Sequence, residues 1–254
     1  MKIRYTFSMP LTSYNLREFY RTLGGRIVRR LIVERLAKMW PDMNGYRLLG
    51  AGYATPFLRD CRENTERTVC VMYAGQGVHH WPADEKNSVC LADETELPFE
   101  TNSIDRILLV HSLEFTGFLE SAFEELWRVL KSNGRIIVIV PNRIGLWARA
   151  DWTPFGHGTP FTSGQVENFL KENRFIPERT ERALFVPPFK SQTLLRSALI
   201  WEKIGHRLCA AMGGLVFVEA SKQIYAGTGR AARSRDAAPA PKPVTAPEPI
   251  LRRK

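Results

Sequence analysis

Several short stretches of this chain carry residue types that do chemistry. Gly50-Ala51-Gly52 follows directly on the apolar run Tyr46-Arg47-Leu48-Leu49. Small residues in such a turn let the backbone approach a nucleotide-like ligand, and a helix that follows offers free N–H groups at its N-terminus. The bare motif suits a tight structural turn equally well. A dinucleotide fingerprint needs a third glycine where Thr55 stands, and Thr55 is followed by Pro56. His111-Ser112 closes the apolar run Ile104–Val110, and an unperturbed imidazole titrates near physiological pH. His111 is therefore a candidate base for an acceptor's proton, or a structural histidine lining a pocket. Asp93 follows the short run Ser88–Leu91 and precedes a turn. Its carboxylate either points into a crevice at a sheet edge or caps that turn. His157 lies in Phe155-Gly156-His157-Gly158, where it contacts substrate or shapes the loop. His79-His80-Trp81 offers two adjacent imidazoles without a third ligand nearby, so no metal site is expected.

These residues need a scaffold, and the apolar pattern supplies one. Ile27, Val28, Leu31, Ile32, Leu36 and Met39 have helical spacing, with Arg29, Arg30, Glu34 and Lys38 off the stripe. Thr68–Tyr73, Ser88–Leu91, Ile104–Val110 and Arg135–Val140 read as short strands. A helix is expected over Leu119–Leu130, ending in the turn Ser132-Asn133-Gly134. Thr162-x-x-Gln165 is a capping box that opens a helix to about Glu172. Further on, Ala183–Val186 and Leu215–Tyr225 read as strands around a helix from about Gln192 to Leu208, closing the sheet edge with an antiparallel strand. Strands alternating with helices predict an α/β doubly wound, Rossmann-like and mainly parallel sheet. The switch-point rule for such sheets puts a ligand at the strands' carboxyl ends, where His111 and Ser112 lie.

Composition narrows the class. The chain has 254 residues, 44% hydrophobic and 11% aromatic, enough for a real core. No apolar run approaches the ~18 residues of a membrane span, and the N-terminal stretch lacks the apolar core of a secretory signal. Cys61, Cys70, Cys90 and Cys209 are scattered without a CxxC pair, which fits free thiols in a reducing cytoplasm. The net charge is +10, but residues 227–254 hold seven basic and two acidic residues and account for +5 of it. That Ala/Pro/Arg-rich tail is too poor in large apolar groups to fold and is expected to be disordered. The remaining body is only mildly basic, which does not announce a nucleic-acid partner. The expected organisation is a helical cap over 1–44, a ligand-binding core over 45–142, a substrate-side half over 143–226, and the tail.

One long stretch is more specific than generic α/β patterning. It comprises LADETELPFETNSIDRILLVHSLEF and then LWRVLKSNGRIIVIVPN. It resembles the small class I S-adenosylmethionine-dependent methyltransferases, through Asp93, Leu97-Pro98-Phe99, Asp105, Arg128-Val129-Leu130-Lys131, Gly134 and Pro141-Asn142 in that order. The resemblance is strong over residues 45–142 and looser over 1–225. It extends to a group of bacterial methyltransferase-like proteins that share Gly156–Phe161 and Pro187–Phe189. It implies a seven-stranded sheet with an antiparallel last strand, and S-adenosyl-L-methionine as cofactor. Gly50, Ala51 and Gly52 then match the loop under the cofactor's methionine part. Asp93 matches the carboxylate that accepts from the adenine amino group, with Glu94 beside the ring. His111 and Ser112 lie where cofactor and acceptor meet.

The chain also departs from that family's pattern. Leu48 stands where an acidic residue usually precedes the first glycine, and Ala54 replaces a third glycine. No carboxylate occurs from Val69 to Gly77, where the family's ribose-gripping residue belongs, and Phe115 follows Leu113-Glu114 in place of a frequent His. The place after the fourth strand reads His111-Ser112-Leu113-Glu114 instead of an Asn/Asp-Pro-Pro-aromatic turn, which disfavours a base-methylating nucleic-acid enzyme. The leading expectation is methyl transfer to an unidentified acceptor, a small molecule or another. The missing carboxylate motivates a second, a catalytically inactive methyltransferase-like binding or scaffold protein. A nucleotide-dependent oxidoreductase is disfavoured by the absent third glycine. On the first reading a bulky side chain at Gly52 is expected to block the cofactor and spare the fold.

Overall fold

The computed structural model describes residues 11–189, 191, 197–208 and 210–223. The apolar runs form the inner strands. They are β1 (Arg47–Gly52), β2 (Arg67–Tyr73), β3 (Val89–Ala92), β4 (Ile104–Val110) and β5 (Leu130–Pro141), followed by β6 (Ile176–Ala183) and β7 (Leu215–Ser221). They make one seven-stranded sheet in the order β3-β2-β1-β4-β5-β7-β6. The first five strands pair in parallel, and β7 runs antiparallel to both β5 and β6. This is the α/β, mainly parallel architecture expected. The last strand, β7, is antiparallel as expected, and it lies between β5 and β6, the latter forming the edge.

Helices cover both faces. On one side α1 (Ser13–Arg21), α2 (Leu23–Met39) and α3 (Thr55–Arg62) bury Leu16, Tyr20, Val28, Leu31, Ile32, Leu36, Phe57 and Leu58 against alternate residues of β1, β2, β4 and β5. On the other, α4 (Leu119–Val129) and α5 (Ser163–Glu172) bury Phe123, Leu126, Val129, Val166 and Leu170 against the intervening set. Residues alternate between the two cores along each inner strand because the side-chain period of a strand is two. A sixth helix, α6, is Ala198–Leu208. The tail and the expected helix start near Gln192 lie outside the described residues.

Three local details differ from the sequence reading. Arg135–Val140 is only part of β5, and the expected turn at Asn133-Gly134 is a bulge inside that strand, where Ile104 pairs with Leu130 but Arg106 with Arg135. Asn133 takes a left-handed φ of 64°, as the bulge requires. The strand expected at Ala183–Val186 lies earlier, because Leu184 takes φ 66° and ends the strand there. Its actual residues, IPERTERA, alternate polar groups on an edge strand that tolerates Pro177 near its start. The capping box at Thr162 and Gln165 forms as expected.

Candidate functional site

The carboxyl ends of β1, β2, β3 and β4 converge on one edge of the sheet. Gly50 to Gly52 occupy the end of β1, and Gly52 takes φ +75°. A Cβ at Gly52 would lie 2.5 Å from the Val110 carbonyl oxygen and 2.9 Å from the Ser112 Cβ. The glycine is thus demanded by the fold itself. The expectation that a bulky residue there spares the fold is overturned, since both the close neighbour and the left-handed backbone exclude a side chain. Tyr53 N donates to Val110 O at 2.9 Å and fixes the turn to β4.

Asp93 is exposed and caps the turn after β3. Its Oδ1 accepts from Thr95 N at 2.9 Å and from Thr95 Oγ1 at 2.7 Å, and these bonds hold its carboxyl below the ordinary range. Both bonds fall on one oxygen, so the cap leaves Oδ2 outside the turn's own hydrogen bonds. Glu94 turns inward and accepts from Thr116 Oγ1 at 3.3 Å, and partial burial raises its pKa. Thr116 in turn donates to the Ser112 carbonyl at 3.0 Å, which links Glu94 to the end of β4. Tyr73 at the end of β2 is pushed above its ordinary value by burial, and a Ser112 hydrogen bond opposes that shift.

His111 is buried at the end of β4 with φ 50°. Its Nε2 lies 2.7 Å from the Tyr20 hydroxyl on α1, and its carbonyl accepts from the Gln76 side-chain amide. Gln76 is itself buried after β2, and its Oε1 has no partner among the described residues. Glu114 lies one turn beyond His111, with Oε1 3.3 Å from Nδ1. Tyr53 stacks on Tyr20 at 6.1 Å, with ring planes 12° apart, and Phe155 lies 5.1 Å from the His111 ring. His79 Nε2 lies 3.4 Å from Thr55 Oγ1, and burial lowers the His79 pKa.

Gly50–Gly52, Glu94, His111 and Ser112 are therefore brought to one edge, with Asp93 at its rim. His157 lies apart from the imidazole of His111. Its Nε2 is 2.8 Å from the Asp151 carbonyl, and its loop reaches the edge through Thr159 N, which donates to Glu114 O at 2.9 Å. Sequence reading missed Tyr20, Gln76 and Glu114. Tyr20 had a faint signal: Thr12 caps α1, and Leu16 and Tyr20 sit at i, i+4 spacing. Gln76 and Glu114 carried none, because burial of a lone polar residue is a tertiary property.

Comparison with known proteins agrees with this geometry. Residues 40–138 match the family model of a methyltransferase domain. A solved S-adenosylmethionine-dependent methyltransferase from Archaeoglobus fulgidus superposes with a TM-score of 0.58 at 18% identity, over 83% of this chain and all of that one. A Thermotoga maritima protein described as a possible histamine N-methyltransferase gives 0.57 at 16% identity, over 83% of this chain and 96% of its own. An uncharacterised protein of Methanocaldococcus jannaschii is 36% identical over 62 residues, so the chain spans only 27% of that relative's length. Residues 40–138 thus carry the match to a methyltransferase domain, and the sheet around them has the fold of those solved structures.

Proposed function

We propose that the protein binds S-adenosyl-L-methionine at this edge and transfers its methyl group to a small-molecule acceptor. The observation that carries the reading is Gln76 Oε1, buried just past β2 within the matched region and without a partner among the described residues. Buried polar groups are nearly always paired, so an unpaired one at a switch point fits a polar ligand. Gly50, Ala51 and Gly52 would pass beneath the methionine part. Asp93 Oδ2 and Glu94 would meet the adenine, and His111 and Ser112 would flank the reacting end. Where the family's ribose carboxylate is missing, the Gln76 amide is the polar group that follows β2.

The bound cofactor supplies an activated methyl group on a sulfonium sulfur. The chain's part is to orient the two reactants and to exclude water, which the aromatic cover of Tyr20, Tyr53 and Phe155 is placed to do. A second reading, a methyltransferase-like binding protein without turnover, is favoured by the lack of a carboxylate from Val69 to Gly77.

Calorimetry with S-adenosylmethionine, its demethylated product and NAD tests the first reading. Binding of the first two and not of NAD is expected, and silence with both sinks the proposal. Asp93→Ala is expected to weaken the cofactor about tenfold and Asp93→Asn less. A variant that loses stability in urea yet binds as the parent does would leave Asp93 a turn cap alone. Transfer of a radiolabelled methyl group to any acceptor then separates an enzyme from a binding protein.

A further inference from the structure

The end of β4 holds a polar chain that cofactor binding leaves unused. The Tyr20 hydroxyl and a Glu114 oxygen lie on either side of the His111 imidazole, 2.7 Å from Nε2 and 3.3 Å from Nδ1. Burial, with Tyr53 and Glu114 nearby, raises the Tyr20 phenol well above its ordinary value, so it keeps its proton. The carboxyl group facing Nδ1 favours the tautomer with the imidazole proton on that nitrogen, and in that tautomer Nε2 accepts from the Tyr20 hydroxyl.

Glu114 is the odd member. It is 4% exposed, and among the described residues neither of its oxygens has a hydrogen-bond partner, nor has Nδ1 of His111. A buried carboxylate in that state is costly to the fold, and a purely structural site would have completed its pairing. The imidazole is also held in place at some cost. A φ of 50° is rare for a residue with a side chain, and such outliers gather at functional sites. The Gln76 amide on the His111 carbonyl and the Phe155 and Tyr20 rings, 5.1 and 5.9 Å from the imidazole, lock the ring in line. Of the three, Tyr20 retains the most exposure, 7% against 1% for His111 and 4% for Glu114, and it comes from α1, which covers the edge.

We propose that Tyr20, His111 and Glu114 form a proton relay, and that the methyl acceptor is a protic nucleophile, a hydroxyl or a protonated amine, in preference to a thiolate or carboxylate. The inference rests on the methyltransferase reading above. The acceptor's proton passes to the Tyr20 oxygen as the Tyr20 proton passes to His111 Nε2. The freed lone pair of the acceptor attacks the methyl carbon, and the carbon–sulfur bond breaks with its electrons remaining on sulfur. The imidazolium is balanced by the Glu114 carboxylate, and its extra proton returns to water after product leaves. A thiolate or carboxylate has no proton to lose and would not need the relay.

Two measurements on the full chain decide it. The first is nitrogen-15 NMR of the histidine rings with the demethylated cofactor present, His111 being assigned by its loss in His111→Gln. The Nδ1–H form is expected in the parent, giving way to a mixture in Glu114→Gln. An Nε2–H form in the parent would overturn the relay, because that nitrogen could not accept from Tyr20. The second is radiolabelled methyl transfer to a panel of one phenol, one aliphatic alcohol, one primary amine, one thiol and one carboxylate. Transfer to the hydroxyl or amine compounds is expected, reduced at least tenfold in Tyr20→Phe and in Glu114→Gln, with the KM for S-adenosylmethionine unchanged. Transfer confined to the thiol or carboxylate, none to the protic members, or undiminished rates in both variants would sink the proposal. Calorimetry on the same samples keeps the two ideas apart. A parent that fails to bind S-adenosylmethionine refutes the methyltransferase reading, whereas binding with a failed panel or the wrong tautomer refutes the relay alone.

Discussion

Two buried charges sit at opposite edges of the sheet and are treated in opposite ways. Lys222, just past β7, is 1% exposed. Its Nζ donates to Asn102 Oδ1 at 2.8 Å and to the carbonyls of Trp127 and Leu130 at 2.7 and 2.6 Å, and it lies 3.9 Å from the Trp127 ring centroid. Three donors meet three acceptors, two of them carbonyls at the end of α4 that the helix cannot satisfy itself. At the carboxyl edge, Glu114 is equally buried and has no hydrogen bond among the described residues. The ammonium has its full set of partners and the carboxyl group has none, although the same chain packs both. Completion of a buried charge's partners marks a structural role here, and its absence marks the edge that meets a ligand.

The contrast can be broken most forcefully through the backbone. If the carboxyl edge were loose as well as incomplete, Gly52→Val would be tolerated. With Val110 O 2.5 Å from the new Cβ and φ at +75°, we expect a loss of about 4 kcal/mol or failure to fold, read by urea unfolding. Next in size, Lys222→Met should cost about 3 kcal/mol, since it strands two buried carbonyls and an amide oxygen. A change under about 0.5 kcal/mol would mean that water replaces the ammonium and that its partners are not a structural requirement. Glu114→Gln has the opposite sign. Replacing a buried carboxyl group that makes no hydrogen bond among the described residues should raise stability by about 1 kcal/mol, and a loss of similar size would show that its contact with His111 Nδ1 is stabilising.

The smallest effect concerns a carboxylate that is fully engaged. Glu125 accepts from Arg128 and from the Leu97 backbone N–H, and its pKa is lowered chiefly by the Arg128 hydrogen bond. A depressed carboxylate contributes stability that is complete above its unfolded value near pH 4.3 and is lost as pH falls through its folded value. Glu125→Gln should therefore cost under 1 kcal/mol at pH 7, with the difference from the parent vanishing as pH falls below about 4. An equal loss at both pH values would assign the effect to packing.

The sequence carried the sheet's interior better than its margins. Runs such as Ile136–Val140 and Ile107–Val110 are apolar on both faces, so their burial between two helical layers was legible from residue type alone. The strand Ile176–Ala183 was not, because an edge needs no such run, and Leu184, which looked like its continuation, breaks it. At the carboxyl edge, the positions of Gly50–Gly52, His111 and Ser112 followed from the glycine turn and the strand ends, and that of Glu94 from the family resemblance alone. Tyr20 and Glu114 were not legible, since the first is 91 residues from the histidine it bonds and the second reveals itself only by what it lacks. At Gly52 the spacing did not show that a side chain is excluded by the fold itself, because β4 fills the place of its Cβ.

The place of β7 has a consequence for synthesis. Residues 135–141 pair with β4 on one side, but their partner on the other, residues 215–221, leaves the ribosome some 75 positions later. During that interval β5 is a bare, strongly apolar edge, the kind of surface that recruits other nascent chains. Lys131 and Arg135 stand at its entrance, where charges act as gatekeepers against such encounters. Later each takes a native partner, Lys131 with Asp105 and Arg135 with Glu178 and Glu219. Chaperone demand in the cell should accordingly track the charge at those two positions more than the stability of the finished fold.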